Sequence, residues 1–164
     1  MALYDKQKTL EFLDKEGYKY EIMEHKACFT MEELDEAGVT KKGIVVKNLF
    51  LRDAKGKNHY LVVVPEERKV ELDKLAFALD STRLSFASAE RLDKYLGVTQ
   101  GSVSTLGILN DESKEVIVAY DISLMGKPEI GVHPNENTAT CWLSFKDLKQ
   151  IVEKHGNQFI TIKI

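Results

Sequence analysis

Hydrophobic and polar positions alternate between two spacings along this chain, and each change of spacing marks the edge of an expected element. Residues 5–16 carry apolar positions at helical intervals, with Leu10 and Leu13 on one side and Gly17 as the stop. The stretch YKYEIME then alternates through Tyr18, Tyr20 and Ile22, which predicts a half-buried strand. Thr30 and Glu33 are spaced as a capping box, opening a short helix that Gly38 closes. Residues 44–53 and 59–65 read as two strands joined by the turn AKGKN. Helical spacing returns at 70–79 through Leu72, Leu75, Ala76 and Leu79, and again between Ser88 and Gly97. Strands follow at 115–120 and 137–143, then a helix capped by Ser144 and ended by Gly156, and a last strand in QFITIKI.

Helices and strands interleave irregularly, with no repeat, low-complexity linker or break. This predicts one α/β domain over residues 1–164, built on a mixed sheet. Composition agrees: 43% hydrophobic and 30% charged residues describe an ordinary globular chain. The first residues carry charges throughout and lack a signal-like apolar run, and no later run approaches a membrane span. Cys28 and Cys141 are far apart, so neither a disulfide framework nor a zinc ribbon is expected. These features together point to the cytoplasm.

The net charge of −3 argues against indiscriminate nucleic-acid binding, but it averages over a patterned chain. Lys41, Lys42, Lys47, Arg52, Lys55 and Lys57 fall in a short segment with Asp53 as its only acid, a composition able to contact phosphates. A solvated turn flanked by lysines accounts for the same charges.

Two stretches lack regular spacing: the glycine-rich 97–107 and the segment GVHPNENTAT at 131–140. Loops on a sheet scaffold commonly carry function. No nucleophile elbow is present, since Gly101-Ser102-Val103-Ser104 has the wrong spacing. Cys141 could pair with His133, yet its place in a strand favours a buried, inert thiol. The four histidines show no metal-binding spacing, and the glycines near residue 100 match neither a P-loop nor a dinucleotide fingerprint. No metal or cofactor is therefore expected. Lys47 is more telling. Strand alternation sets it among Val45, Leu49 and Leu51, where an ammonium must either reach solvent or meet an anion. Asn48 raises the same question on the opposite face, and a solvated edge strand is the competing explanation.

The blocks VVKNLFLRD, HYLVVVP, GVTQGSVSTLGILND and VHPNENTATCWLSFKDL, taken in order, resemble the YbaK/ProX family of aminoacyl-tRNA deacylases. These are free-standing relatives of the editing domain inserted in bacterial prolyl-tRNA synthetases. The resemblance runs from about Lys6 to the C-terminus, and the HPNENTAT block and the GILND ending are most similar to the ProX branch, which removes alanine from mischarged tRNA(Pro). It implies a curved sheet flanked by helices, and a site in which Lys47 acts at the phosphate or ribose of the tRNA 3′ end. Asn48 stands beside that lysine. Gly101 would bring its backbone to the aminoacyl ester, and His133 would shape the amino-acid pocket. Ser102 and Pro134 are the further substrate-binding candidates, and Lys41 and Lys42 the tRNA-binding ones. Ser104-Thr105 replaces the Ser-Pro of many relatives, so that loop lacks a rigid brace.

The chemistry is compatible with such a site. An aminoacyl ester is already activated, so positioning a water and stabilising the oxyanion can suffice without a triad. The resemblance adds that the substrate's own ribose hydroxyl helps to activate the water. An editing pocket admits what is smaller than the cognate amino acid, so alanine enters and proline is refused. The expected partner is the aminoacyl end of tRNA(Pro), with prolyl-tRNA synthetase as a further candidate and a monomer or homodimer equally allowed. Cys-tRNA(Pro) is the alternative substrate. A non-catalytic module binding tRNA or an amino acid is the alternative of a different class.

Overall fold

His59–Pro65 (β3) is buried along its whole length because it carries an apolar side chain to both faces of a sheet. Leu61 and Val63 enter one apolar cluster, and Tyr60, Val62 and Val64 enter another. A continuous apolar run is the signature of a strand covered on both sides. The computed structural model describes residues 3–28 and 30–164.

Around β3 lie Glu21–Glu24 (β1), Ile44–Arg52 (β2), Ser85–Phe86 (β4), Ile117–Asp121 (β5), Ile130–Val132 (β6), Ala139–Leu143 (β7) and Phe159–Ile162 (β8). Their order is β1-β7-β6-β2-β3-β5-β8, with β4 paired to β2 off this path. The β2–β3 hairpin and the β6–β7 and β1–β7 pairs are antiparallel, whereas β2–β6, β3–β5 and β5–β8 are parallel. The expected mixed sheet in an α/β domain is thus present.

The larger cluster is roofed by Lys6–Lys15 (α1), Ala89–Leu96 (α4) and Phe145–His155 (α5), through Leu13, Leu92, Leu96, Leu148 and Val152. Leu72–Ala78 (α3) covers the other face through Leu75 and Ala76. Met31–Glu36 (α2) lies apart, with no buried residue. The caps fall where the polar spacing placed them. Thr30, Ser88 and Ser144 accept from the amides of Glu33, Arg91 and Asp147, and Gly38, Gly97 and Gly156 take positive φ at the far ends.

Three details differ from the sequence expectation. Ile22 is 40% exposed, because β1 is an outer strand and starts only at Glu21. Beyond the expected strands there are two short ones, β4 and β6, each too brief to show an alternation. The stretch 97–107 is not wholly irregular, since Gln100–Ser102 and Thr105–Asn110 are 3₁₀ turns.

The start of β2 is held to β6 by contact of main chain on main chain. Ile44 N–H donates to Glu129 O at 3.0 Å, and a Cβ on the preceding Gly43 would stand 2.6 Å from that same oxygen. Gly43→Ala is therefore expected to cost about 1–3 kcal/mol through overpacking, read as a lower urea midpoint at unchanged m-value. An unchanged midpoint would show that the two strands separate there without penalty.

Candidate active site

The sheet divides at β2, and the division makes the site. β6 pairs with β2 only at Ile44 and Val45, and β4 only at Leu51 and Arg52. Among the described residues, no strand lies beside the β2 edge between them. Ile44 N–H donates toward β6, and Phe50 O accepts from Ala87 N–H on the β4 side, so even-numbered residues turn their main-chain groups to this edge. Asn48 lies in the gap, and its main-chain N–H and C=O find no partner among the described residues. Its side-chain Oδ1 is also buried without a donor. Unsatisfied polar groups of this kind are costly and call for an explanation.

A cavity of about 210 Å³ opens at the gap. That is smaller than the roughly 300–1,000 Å³ of pockets that hold drug-sized ligands. Lys47 and Asn48 on β2, Gly101 on the first 3₁₀ turn and His133 just after β6 all line it. Among the described residues, Cys28, Thr30, Met31, Leu34, Val46, Glu66, Gln100 and Val103 also line it. Four candidates 86 residues apart in sequence thus share one small space. Ser102 and Pro134 are buried beside Gly101 and His133 but do not line the cavity.

Lys47 solves its burial problem through a backbone acceptor. Its Nζ donates to Arg68 O at 2.6 Å. Arg68 is itself fixed, because its guanidinium reaches Asp121, which is nearly fully buried, at 3.2 Å and donates to Ile164 O at 2.9 Å. The turn after β3 therefore fixes the ammonium of a residue that lines the cavity. Gly101 has no positive φ, so its backbone conformation does not itself require a glycine. Its N–H has no acceptor among the described residues. The loop's missing proline is compensated by a hydroxyl: Thr105 is buried and bonded to Tyr120 OH at 2.6 Å.

His133 sits 3.0 Å from Ala139 O through Nδ1, so Nδ1–H donates and Nε2 keeps its lone pair. Burial holds its pKa below the ordinary histidine value, and the ring is neutral at pH 7. Asn135, at φ 63°, anchors the same loop through its Nδ2, whose two hydrogens are shared among Tyr4 O (2.9 Å), Thr9 Oγ1 (3.0 Å) and Leu106 O (3.3 Å). Asn135→Ala should cost about 1–3 kcal/mol, seen as a lower unfolding midpoint, since buried acceptors lose their donor. Full retention of stability would assign those acceptors to water. Cys141 is fully buried, and its thiol is pushed up to about 12, the inert behaviour expected of a core cysteine.

The basic segment does not form one patch. Lys41 is exposed at the start of β2, while Lys55 and Lys57 are exposed on the hairpin turn at its far end. A nine-residue strand separates them, about 30 Å at 3.3 Å per residue. Lys42 is held by two carboxylates, Glu21 at 2.6 Å and Glu129 at 3.2 Å. Among the described residues no three His, Cys, Asp or Glu side chains gather in a group able to hold a metal ion, and no helix is long and apolar enough to cross a membrane.

Sequence reasoning passed over Glu66, Cys28 and the α2 residues of the wall. VVVPEER ends a fully buried strand in charge, which is ordinary by itself, and only the hairpin register, which brings Glu66 alongside Val45, marks it.

Residues 25–151 match the model of the aminoacyl-tRNA editing domain. The chain is 46% identical over 164 residues, all of both chains, to the prolyl-tRNA editing protein ProX of Acetoanaerobium sticklandii. It is 33% identical over 157 residues to the prolyl-tRNA synthetase associated domain-containing protein 1 of Danio rerio, covering 94% of this chain and 85% of that one. The fold is similar to a crystal structure of a candidate trans-editing enzyme for prolyl-tRNA synthetase. That likeness has a TM-score of 0.73 over 99% of both chains at 21% identity, and it speaks for the fold alone.

Proposed function

The chain belongs to the aminoacyl-tRNA editing domain family, and on that footing we propose that it is a free-standing hydrolase that cleaves the ester of Ala-tRNA(Pro). The observation that carries this reading is the convergence of Lys47, Asn48, Gly101 and His133 on one cavity of about 210 Å³. The prolyl-tRNA editing relative, similar along its full length, supports tRNA(Pro) as the carrier.

The geometry supports a division of labour. The N–H groups of Asn48 and Gly101, both without acceptors among the described residues, are the donors available to an ester oxygen as it gains negative charge. Lys47 supplies the positive charge for the phosphate or ribose of the 3′ end. His133 is neutral, offers one lone pair and forms part of the wall that an amino-acid side chain meets. No carboxylate–histidine pair is needed, because the ester is activated and water has only to be positioned. A cavity of about 210 Å³ does not by volume alone separate alanine from proline, so we assign refusal of the proline ring to a clash with the cavity wall.

Alanine release from purified Ala-tRNA(Pro), with Cys-tRNA(Pro) as a second arm, tests the reading. Faster release of cysteine would transfer the assignment to the cysteine substrate. A protein that binds the charged tRNA and leaves both esters intact would be a binding module. We place this work in the cytoplasm, at the aminoacyl end of the tRNA, with prolyl-tRNA synthetase as the candidate source of substrate.

Lys41 is our candidate phosphate contact near the cavity. Lys41→Gln should weaken tRNA binding and reduce the log–log salt slope by about 0.7–0.9, one phosphate's worth. Lys42→Gln should weaken binding more than its own charge predicts, by freeing Glu21 and Glu129 to repel the backbone. An unchanged slope in Lys41→Gln would leave that lysine a solubility role.

A further inference from the structure

We propose that Glu66 is the receptor for the substrate's α-ammonium group, so that the pocket distinguishes a free aminoacyl ester from an N-blocked one. This rests on the functional reading above and deepens it.

Among the described residues lining the cavity, Glu66 is the only carboxylate and Lys47 the only permanent cation. The hairpin explains their nearness. Val46 pairs with Pro65 and Lys47 with Val64, so Glu66, whose N–H donates to Val45 O, continues on the face that carries Lys47. The two charges do not neutralise each other by contact. Lys47 gives its hydrogen bond to Arg68 O, and no ion pair within 4.0 Å joins it to Glu66. The Glu66 side chain has no hydrogen-bond donor among the described residues, although it is half-buried. Burial also raises its pKa from the ordinary carboxylate value, with Lys47 opposing that rise, the behaviour of a carboxylate short of partners.

Asn48, which lines the same cavity, carries a buried Oδ1 that finds no donor among the described residues. The half-buried Glu66 carboxylate is the acceptor on the cavity wall, and it calls for a ligand group rich in donors. An aminoacyl ester presents one: its α-amine, protonated at neutral pH if it titrates near the usual α-amino value of about 7.7–8.0, carries three N–H donors and a positive charge. The ester's other side leads to an anionic nucleic acid. A pocket with a cation for the phosphate side and a carboxylate for the amine side matches that charge pattern and fixes the direction in which the ester enters. A neutral amide in place of the amine would leave Glu66 desolvated and unpaired.

The test uses two stable amide analogues, 3′-alanylamino-3′-deoxyadenosine and its N-acetyl derivative. Binding is measured by calorimetry to the wild-type protein and to Glu66→Gln. The wild type should bind the free amine about 10- to 100-fold more tightly, the range expected of a charge-assisted hydrogen bond. Glu66→Gln should lose that preference and keep its unfolding temperature, and Glu66→Asp should recover part of it. Equal binding of both analogues by the wild type would overturn the proposal. So would a preference that survives Glu66→Gln. In parallel kinetics, Glu66→Gln should raise KM for Ala-tRNA(Pro) more than it lowers kcat, whereas a fall confined to kcat would make Glu66 a base and contradict the assignment. Failure of the protein to cleave any ester would count against the hydrolase reading without touching the binding ratio.

Discussion

Lys47→Ala should lower the rate of ester cleavage on Ala-tRNA(Pro) by at least about 100-fold, the loss typical when the group that anchors the 3′ end is removed and the ester drifts from its reactive position. Lys47 lines the cavity half-buried, and its Nζ is held by Arg68 O at 2.6 Å, so its position does not depend on substrate arriving. That preorganisation is what the variant removes. Lys47→Met keeps the apolar stem against its neighbours on β2 and deletes only the charge, so its rate should fall as far as that of Lys47→Ala. Lys47→Arg should rescue poorly, because a planar fork does not replace a compact ammonium bonded to one carbonyl. Single-turnover kinetics with an unfolding control measure all three. A Lys47→Met enzyme within threefold of wild type would remove Lys47 from the chemistry.

The second large effect is expected in selectivity. His133→Ala should reduce the preference for Ala-tRNA(Pro) over Pro-tRNA(Pro) by about 10- to 100-fold, while its rate on alanine changes less. The reasoning is steric. A pocket gains only about 1–3 kcal/mol from a missing methylene, so refusing proline has to come from a clash, and a ring fixed by Ala139 O is a firm wall. Equal losses on both substrates would instead assign His133 a direct chemical role. The ring's protonation gives a second readout. Burial depresses the pKa of His133, and burial together with the neighbouring Arg91 guanidinium depresses that of His59. The folded protein therefore binds protons less readily than the unfolded chain, and the stability these two rings contribute is present above about pH 6.5 and declines as pH falls below it. Urea titrations at pH 7.5 and pH 5.5 read this directly, and His133→Gln should remove part of the difference.

Most of the fold was legible because its elements are long and locally consistent. β3 advertised its burial by an unbroken apolar run, and Ser88–Gly97 and Ser144–Gly156 advertised both ends of their helices. β4 and β6 were not legible, being only two and three residues long and defined by partners distant in the chain. The consequence reaches the site. The gap in the sheet depends on where β6 leaves β2, so the open main chain of Asn48 is a tertiary fact that no local pattern carries. Lys47 was different, since a lysine centred in a strand is anomalous on its face. His133 drew notice through the unusual loop around it, and the Asn135 amide, shared among three acceptors, shows why that loop is ordered. Glu66 escaped because a charged residue after a buried strand is ordinary; only the register that sets it beside Lys47 makes it notable.

The central claim is that this cavity cleaves the alanyl ester and spares the prolyl one. Its most direct test is the single-turnover rate of the wild-type protein on Ala-tRNA(Pro) and on Pro-tRNA(Pro), measured side by side against spontaneous hydrolysis. The predicted result is cleavage of the alanyl ester at least about 100-fold faster than of the prolyl ester, the discrimination a steric sieve can supply. Prolyl ester cleaved as fast as alanyl ester, or no ester cleaved above the spontaneous rate, would contradict it.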